Sequence, residues 1–298
     1  MTDFRLKVFL SVAKHLSFTQ ASKELFISQP AISKHIQELE SEFQTRLFER
    51  KGNSISLTQS GALLVKHAEA IREQYQHLEY AMHSLSGEMV GELRLGASTT
   101  IAQYVLPPIL ARFTELYPQI KLSLLSGNSR EIEEELEAHR IDLGLIEGIY
   151  RRRNLKYTPF IKDELIGIAQ KETQNVIPAS IQLKDLAQYP LILREQGSGT
   201  LDVIEQALAE KEIKLKDLQI PLYLGSTESI KLFIQHSRAL GIVSIRAAQA
   251  DLDAGRLREI KFDGLRMHRT FHFVSLQGEL VGLPALFMRF ASQYKLKL

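Results

Sequence analysis

The stretch Phe18-Thr19-Gln20-Ala21-Ser22-Lys23-Glu24-Leu25-Phe26-Ile27-Ser28-Gln29-Pro30-Ala31-Ile32-Ser33-Lys34-His35-Ile36-Gln37 reads as two short helices joined by a tight link at Phe26-Ile27. Thr19 is placed to cap the first helix, which carries Ala21 and Leu25. Ser28 suits the N-cap of the second, because its hydroxyl accepts from the free N–H groups of the first turn, and Pro30 is tolerated there. In that second helix Ile32, Ile36, Leu39 and Phe43 fall in one narrow stripe at about 100° per residue. Pro30, Ser33, Lys34 and Gln37 lie on the opposite side. Upstream, Phe9, Val12, Ala13 and Leu16 at i, i+3, i+4, i+7 predict one more helix.

The polar side of the second helix has the chemistry of a base-reading surface. Glutamine presents a donor and an acceptor together to adenine, and lysine donates to guanine or a phosphate. Thr19 and Gln20, at the start of the preceding helix, can add backbone contacts, and Ser28 is counted among the candidate DNA-contacting residues. Glu38, Glu40 and Glu42 would repel phosphates, so the helix is expected to enter a groove by its N-terminal half. Gly52-Asn53 between Leu47–Arg50 and Ile55–Leu57 signals a hairpin, a wing that brings Arg50 and Lys51 to a flanking phosphate or minor groove.

Thr58 opens a long helical stretch. Its apolar positions Leu64, Ala68, Ile71, Tyr75, Leu78, Met82 and Leu85 alternate steps of four and three, a heptad seam that predicts pairing of two chains. A dimer lets two readers address two half-sites about one turn of DNA apart. Gly87 and Gly91 end the helix.

From Glu92 the texture changes to strands alternating with helices. Strands are expected at 93–95, 120–125, 143–146, 165–169, 191–193, 222–224 and 242–245, with helical patterns at 109–116, 132–139, 201–211 and 229–236. This is the pattern of sheets covered by helices on both faces. Four strand ends run into small hydroxyl-rich turns: Gly96-Ala97-Ser98-Thr99-Thr100, Ser126-Gly127-Asn128-Ser129, Arg194–Thr200 with Ser198, and Gly225-Ser226-Thr227. Each aims backbone N–H groups and a helix dipole beyond the strand's C-terminal edge, where ligands bind in open α/β sheets. The ligand expected there is small, polar and anionic, with Arg194 able to pair with it. Glu147, also at a strand end, is left with two readings: it binds an amino group, or it faces solvent.

Composition bounds the class. The 298 residues allow two or three folding units, and 44% apolar with 24% charged residues is an ordinary globular mixture. The 37 Lys and Arg against 35 Asp and Glu leave a formal charge of +2, so nucleic-acid affinity must come from local arrangement. The absence of cysteine excludes disulfides, thiol catalysis and cysteine-ligated zinc. The start Met1-Thr2-Asp3-Phe4-Arg5 is not a secretory signal, and the longest uncharged run, 95–111, is too polar to span a bilayer, so a cytoplasmic protein is expected. His268 and His272 lie in a strand pattern with no third ligand, so no metal is expected. No catalytic nucleophile–base pair and no phosphate-binding Gly-Lys-Ser/Thr occurs, so neither enzymatic activity nor a cofactor is expected. Arg151-Arg152-Arg153 is read as a solvated loop and Glu133-Glu134-Glu135 as a solvated helix face.

The blocks 18–25, 28–36, Leu39-Glu40, 47–50 and Leu57-Thr58-Gln59-Ser60-Gly61 resemble the DNA-binding domain of LysR-type transcriptional regulators, and the remainder of the chain fits that family in order and size. The sequence 96–101 followed by Tyr104-Val105-Leu106-Pro107 is similar to the cysteine-metabolism and carbon-fixation subgroup. The resemblance implies an N-terminal all-α winged helix-turn-helix at 1–58 and a dimerising linker helix at 59–91. It implies a two-lobed α/β effector domain, built like a periplasmic binding protein, at 92–298. Lobe I would hold about 92–162 and 269–298, and lobe II about 163–268. It places DNA contacts at Gln29, Pro30, Ser33, Lys34, Gln37 and Arg50, and effector contacts at Ser98, Thr100, Ser198 and Thr200. Promoter DNA, a small co-inducer, a homotetramer built from linker-helix dimers, and RNA polymerase are the implied partners. Two alternatives are weighed: a solute-binding protein of the transport type, disfavoured by the N-terminal helices, and an enzyme with a fused DNA-binding module, which no constellation of residues supports.

Overall fold

The computed structural model describes residues 3–51, 54–85, 90–149 and 151–294. The chain divides into two compact units, 1–88 and 89–298.

The first unit is three short helices, a hairpin and a long helix: α1 (Phe4–His15), α2 (Phe18–Leu25), α3 (Gln29–Glu42), β1 (Phe48–Lys51), β2 (Ser54–Leu57) and α4 (Gln59–Leu85). Val8, Phe9, Val12, Ala21, Ile32, Ile36, Leu39, Leu47 and Phe48 form its core. Fully burying each larger side chain of this kind stabilises by about 1.5–3 kcal/mol. Ser28 caps α3 as expected, its hydroxyl accepting from Ala31 N at 3.4 Å. The cap of α2 is Ser17, which accepts from Gln20 N at 3.2 Å, so Thr19 lies inside the first turn instead of capping it. Two apolar residues assigned to core stripes are half exposed: Leu16 and Phe43 sit one residue past α1 and α3, where the chain leaves the helical face.

Thr58 does start α4: its hydroxyl accepts from Gly61 N at 2.9 Å and donates to Arg46 O at 2.7 Å. Gly61 is obligatory here, because a Cβ would stand 2.1 Å from Leu47 O. Along the heptad seam, Ala68 is buried and Leu64 packs on the core, whereas Ile71 and Leu78 are exposed. The side chains of Met82 and Leu85, and the hairpin turn at 52–53, lie outside the described residues.

The second unit runs β3 (Gly91–Ser98), α5 (Thr99–Tyr104), α6 (Leu106–Leu116), β4 (Ile120–Gly127), α7 (Ser129–Glu137), β5 (Leu143–Ile146), β6 (Leu155–Gln170), β7 (Ser180–Gln182), β8 (Leu191–Arg194) and α8 (Gly199–Ala209). It continues β9 (Leu222–Leu224), α9 (Thr227–Gln235), β10 (Leu240–Ser244), α10 (Ile245–Asp253), β11 (Leu257–Asp263), β12 (Met267–Leu276) and α11 (Gly282–Gln293). The strands are joined in the order β4-β3-β5-β12-β6-β10-β8-β9, with β11 beside β6 and β7. Parallel pairs lie at both ends, β4-β3-β5 and β10-β8-β9, and antiparallel strands link them. The link is β6. Its first half pairs with β12 from Leu155 to Leu165, and its second half with β10 and β11. The two parallel halves are two lobes, and β6 and β12 pass between them.

The sequence pattern indicated only 165–169 of this 16-residue strand. Pro159 and the charges Lys156, Lys162, Asp163 and Glu164 interrupt its apolar alternation. The structure accommodates the irregularity with a bulge opposite Phe271/His272 and by pairing the buried charge at Asp163.

Candidate nucleic-acid interface and ligand cleft

On α3, Ile32, Ile36 and Leu39 are buried, which turns the opposite face outward. Ser28, Gln29, Pro30, Lys34 and Gln37 are exposed, with Ser33 half-buried and Thr19 and Gln20 exposed on α2. Among the described residues Lys34 makes no ion pair. The carboxylates expected to repel phosphate are engaged within the unit. Glu40 accepts from Leu47 N at 2.8 Å, which ties α3 to β1; Glu42 pairs with Arg5 at 2.6 Å, and Glu38 lies 3.4 Å from His35. Glu24 on α2 pairs with Lys14 at 2.8 Å and accepts from Ser11; the lysine and then the serine hold its carboxyl down at about 2. The side chains of Arg50 and Lys51 lie outside the described residues. Phe26, in the link between α2 and α3, is 94% exposed.

In the second unit the four hydroxyl-rich turns meet between the lobes. Arg194, at the end of β8 and only 1% exposed, joins three of them. Its Nη1 donates to Thr99 Oγ1 of lobe I at 2.8 Å and to Thr227 Oγ1 of lobe II at 3.5 Å. Its Nη2 donates to Gly225 O at 3.3 Å, and Nε and Nη2 together hold Glu195 at 2.8 and 3.0 Å. Thr100 and Thr227 face each other across the lobes at 3.5 Å. Nearby, Arg130 N donates to Gly197 O at 3.2 Å, and a Cβ on Gly199 would lie 2.3 Å from Gly148 N. The lobes therefore touch backbone to backbone at this point. Of the hydroxyls in the turns, Ser198 and Ser226 cap α8 and α9, and Asn128 forms a reciprocal capping box with Glu131 on α7. The hydroxyls of Ser98 and Ser129 are buried with no hydrogen-bond partner among the described residues.

Of the two readings left open for Glu147, the solvent-facing one is excluded. It is 1% exposed; its Oε1 accepts from Thr200 Oγ1 at 3.1 Å and its Oε2 lies 3.2 Å from Arg269 Nη2. Arg269 on β12 also donates to Thr200 at 2.9 Å and to Asp163 on β6 at 2.7 Å. Ser244 donates to the other Asp163 oxygen at 2.8 Å. Arg246 lies 3.6 Å from that same oxygen, so two guanidinium groups face the two carboxylates and the cleft rests on a buried, charge-compensated network carried largely by the strands that pass between the lobes. Sequence reasoning missed Arg269 and Asp163. The available signal was parity: Met267, Arg269, Phe271 and Phe273 share one face of β12, so the arginine points inward with them. Asp202 on α8 stands beside this network, and burial, reinforced by Glu205, raises its carboxyl to about 6.

Two surface readings are also corrected. Glu133 is buried on α7, accepting from Tyr157 OH at 2.7 Å and pairing with Arg152 at 3.1 Å. Burial pushes its carboxyl up. Arg152 further binds Glu137 at 2.6 Å, and Arg151 lies 4.5 Å above the Tyr157 ring and 3.2 Å from the His272 imidazole. Arg151 and Arg152 fasten lobe I, whereas Arg153 is exposed as the loop reading expects. Among the described residues no cluster of three or more metal-ligating side chains occurs, and no helix is long and apolar enough to cross a membrane.

Residues 4–62 match the family described as bacterial regulatory helix-turn-helix protein, lysR family, and residues 86–294 match the LysR substrate binding domain. The chain is 34% identical to the HTH-type transcriptional regulator YeiE of Escherichia coli, covering 89% of this chain and 88% of that protein. It is 29% identical to CysL of Bacillus subtilis over 90% and 89% of the two chains. It is 28% identical to the RuBisCO operon transcriptional regulator of Allochromatium vinosum over 92% and 90%. CysL and the RuBisCO operon regulator match the subgroup that the effector-domain motif resembles. Among solved structures, a full-length OxyR variant of Pseudomonas aeruginosa superposes with a TM-score of 0.73 at 18% identity, covering 98% of this chain and 93% of that one. The regulatory domain of CcmR from Synechocystis in complex with 2-PG gives 0.61 at 25% identity, covering 68% and 96%.

Proposed function

This chain belongs to the LysR family of DNA-binding transcriptional regulators, and from that premise we propose that it is a cytoplasmic regulator whose output is set by a small anionic metabolite held between the lobes. The outer face of α3 reads promoter half-sites through Gln29, Pro30, Ser33, Lys34 and Gln37, supported by Ser28, Thr19 and Gln20 and by Arg50 and Lys51 in the wing. The exposed Ile71 and Leu78 on α4 suit pairing of two chains along that helix, and effector domains pair these dimers into tetramers that meet RNA polymerase. The protein acts by binding, without a catalytic step or cofactor of its own.

The observation that carries the ligand reading is the meeting of four strand-end turns between the lobes, three of them on the buried Arg194 and the fourth on Gly197, together with the buried, unpartnered hydroxyls of Ser98 and Ser129 in those turns. Buried polar groups without partners are rare, and a ligand that satisfies them gains the bonds they lack. That a regulatory domain of this fold, in CcmR, is seen with 2-PG supports a small ligand. The metabolite favours one lobe arrangement by binding it better, and so shifts how the DNA-binding units engage the promoter.

Genomic footprinting of the tagged protein, with and without candidate metabolites, tests this. The footprint is expected at interrupted dyads and is expected to change with one ligand class. Thr100→Val is expected to abolish that change while leaving the basal footprint intact. A footprint that no metabolite alters, or loss of both in the variant, refutes the cleft as the sensing site.

A further inference from the structure

We infer that Glu195 is a built-in competitor for the effector: its carboxylate occupies, on the Arg194 fork, the place that the effector's own anionic group takes. The inference rests on the reading of the interlobe cleft as the effector site and says what must leave it. Arginine has five N–H donors and cannot shed its charge. All five of Arg194 are used: two by Glu195, and one each by Thr99, Thr227 and Gly225. A guanidinium so saturated takes up an anion only by giving up a partner.

The partners differ in how readily they leave. Thr99, Gly225 and Thr227 sit at strand ends and helix starts, fixed by the sheet and by α5 and α9. Glu195 is the single charged partner, follows the end of β8, and is 28% exposed along its side chain while Arg194 is 1% exposed. It has solvent to swing into. It also presents the bidentate carboxylate geometry through which arginine recognises carboxylates, phosphates and sulfates.

The pairing needs a special backbone. Consecutive residues on a strand point to opposite faces, so neighbours do not ordinarily form a two-pronged pair. Here β8 ends at Arg194 and Glu195 is already the first residue of a turn, closed by Ser198 N donating to Glu195 O at 3.2 Å, so the strand alternation does not extend to it and its carboxylate reaches the neighbouring guanidinium. The ligand class follows: a small carboxylate or tetrahedral oxyanion that replaces both Glu195 bonds and meets the Thr99 and Thr227 hydroxyls. A neutral metabolite cannot displace the carboxylate without stranding a buried cation.

The test is calorimetric titration and thermal shift of the full-length protein with sodium acetate, sulfate and inorganic phosphate at fixed ionic strength. Wild type, Glu195→Gln, Arg194→Gln and the double variant are compared. Glu195→Gln keeps the shape and removes the competing charge. It is expected to bind at least one probe about tenfold more tightly than wild type, as removal of a self-occluded state predicts. That gain is expected to vanish in the double variant, and the probe that gains separates a carboxylate from a tetrahedral effector. Should Glu195→Gln fold poorly, Glu195→Asp, one methylene too short for both prongs, is expected to show the same gain.

Equal or weaker binding by both Glu195 variants, with loss in Arg194→Gln, overturns the competitor role and leaves the cleft reading intact. No binding of any probe by Glu195→Gln or Glu195→Asp also overturns it, because an uncovered fork must take an anion. A gain that persists in the double variant overturns it as well. If binding is then also insensitive to Thr100→Val, the cleft reading falls separately.

Discussion

The outer face of α3 and the cleft between the lobes carry the same chemistry, hydroxyls, amides and single cations, in opposite states. On α3 the polar side chains face water, and the nearby carboxylates are engaged elsewhere in the unit. In the cleft the polar side chains are buried and bonded mainly to one another, across lobes and between strands far apart in sequence. An exposed surface gives up only water when it docks. A buried network exchanges internal bonds for ligand bonds, and the exchange is favourable only for a ligand that replaces what it displaces. The first state suits a reader held in one conformation and the second a sensor with two.

The largest test of this contrast is Arg269→Met. It leaves the buried Glu147 carboxylate without a cation and Asp163 with only Ser244 and the more distant Arg246, and is expected to cost about 3–5 kcal/mol, seen as a lowered melting transition of the second unit. A loss below about 1 kcal/mol would mean that the network is not what supports the cleft. Gly61→Ala is expected to cost the first unit about 1–3 kcal/mol through its collision with Leu47 O, leaving the second unit's transition in place.

Asp202 and Glu24 turn the contrast into opposite pH slopes. Asp202 is raised to about 6, so ionising it opposes folding as pH climbs from about 4 through 6. Asp202→Asn is therefore expected to stabilise the second unit at about pH 7.5 by about 1 kcal/mol, allowing for partial exposure, with the difference vanishing near pH 4. Glu24 is depressed to about 2, so its contribution is present above about 4.5 and lost as pH falls toward 2. Glu24→Gln is expected to lower the first unit's melting point slightly at pH 7 and not at pH 2. Unfolding curves followed across pH check both signs.

Lys34→Ala is the gentlest test. It is expected to leave folding unchanged, weaken promoter binding, and reduce the salt slope of log K by about one unit if the ammonium meets a phosphate. An unchanged slope moves Lys34 to a base or off the duplex.

The reading face was legible because helices announce themselves locally. The stripe Ile32, Ile36, Leu39 needs only a 3.6-residue period to place Lys34 and Gln37 on the other side. Errors came where local chemistry is degenerate. Ser17 and Thr19 offer the same hydroxyl two residues apart, and Leu16 and Phe43 keep the period while lying past the last turn. The four strand-end turns were legible for the same local reason.

The sequence by itself determined which segments become helices and strands, which face of α3 stays polar, and that glycine and hydroxyl residues gather at strand ends. Only the tertiary structure decided what those strand ends hold. Arg194 reaches Thr99 across 95 residues, and Arg269 reaches Asp163 across 106. Local periodicity carries no record of such pairs. Whether a charge is solvated or buried against its opposite is settled by strand pairing, which sets Arg269 opposite Asp163, and by contact of the lobes, which brings Arg194 to Thr99; both join distant chain and remove the water between.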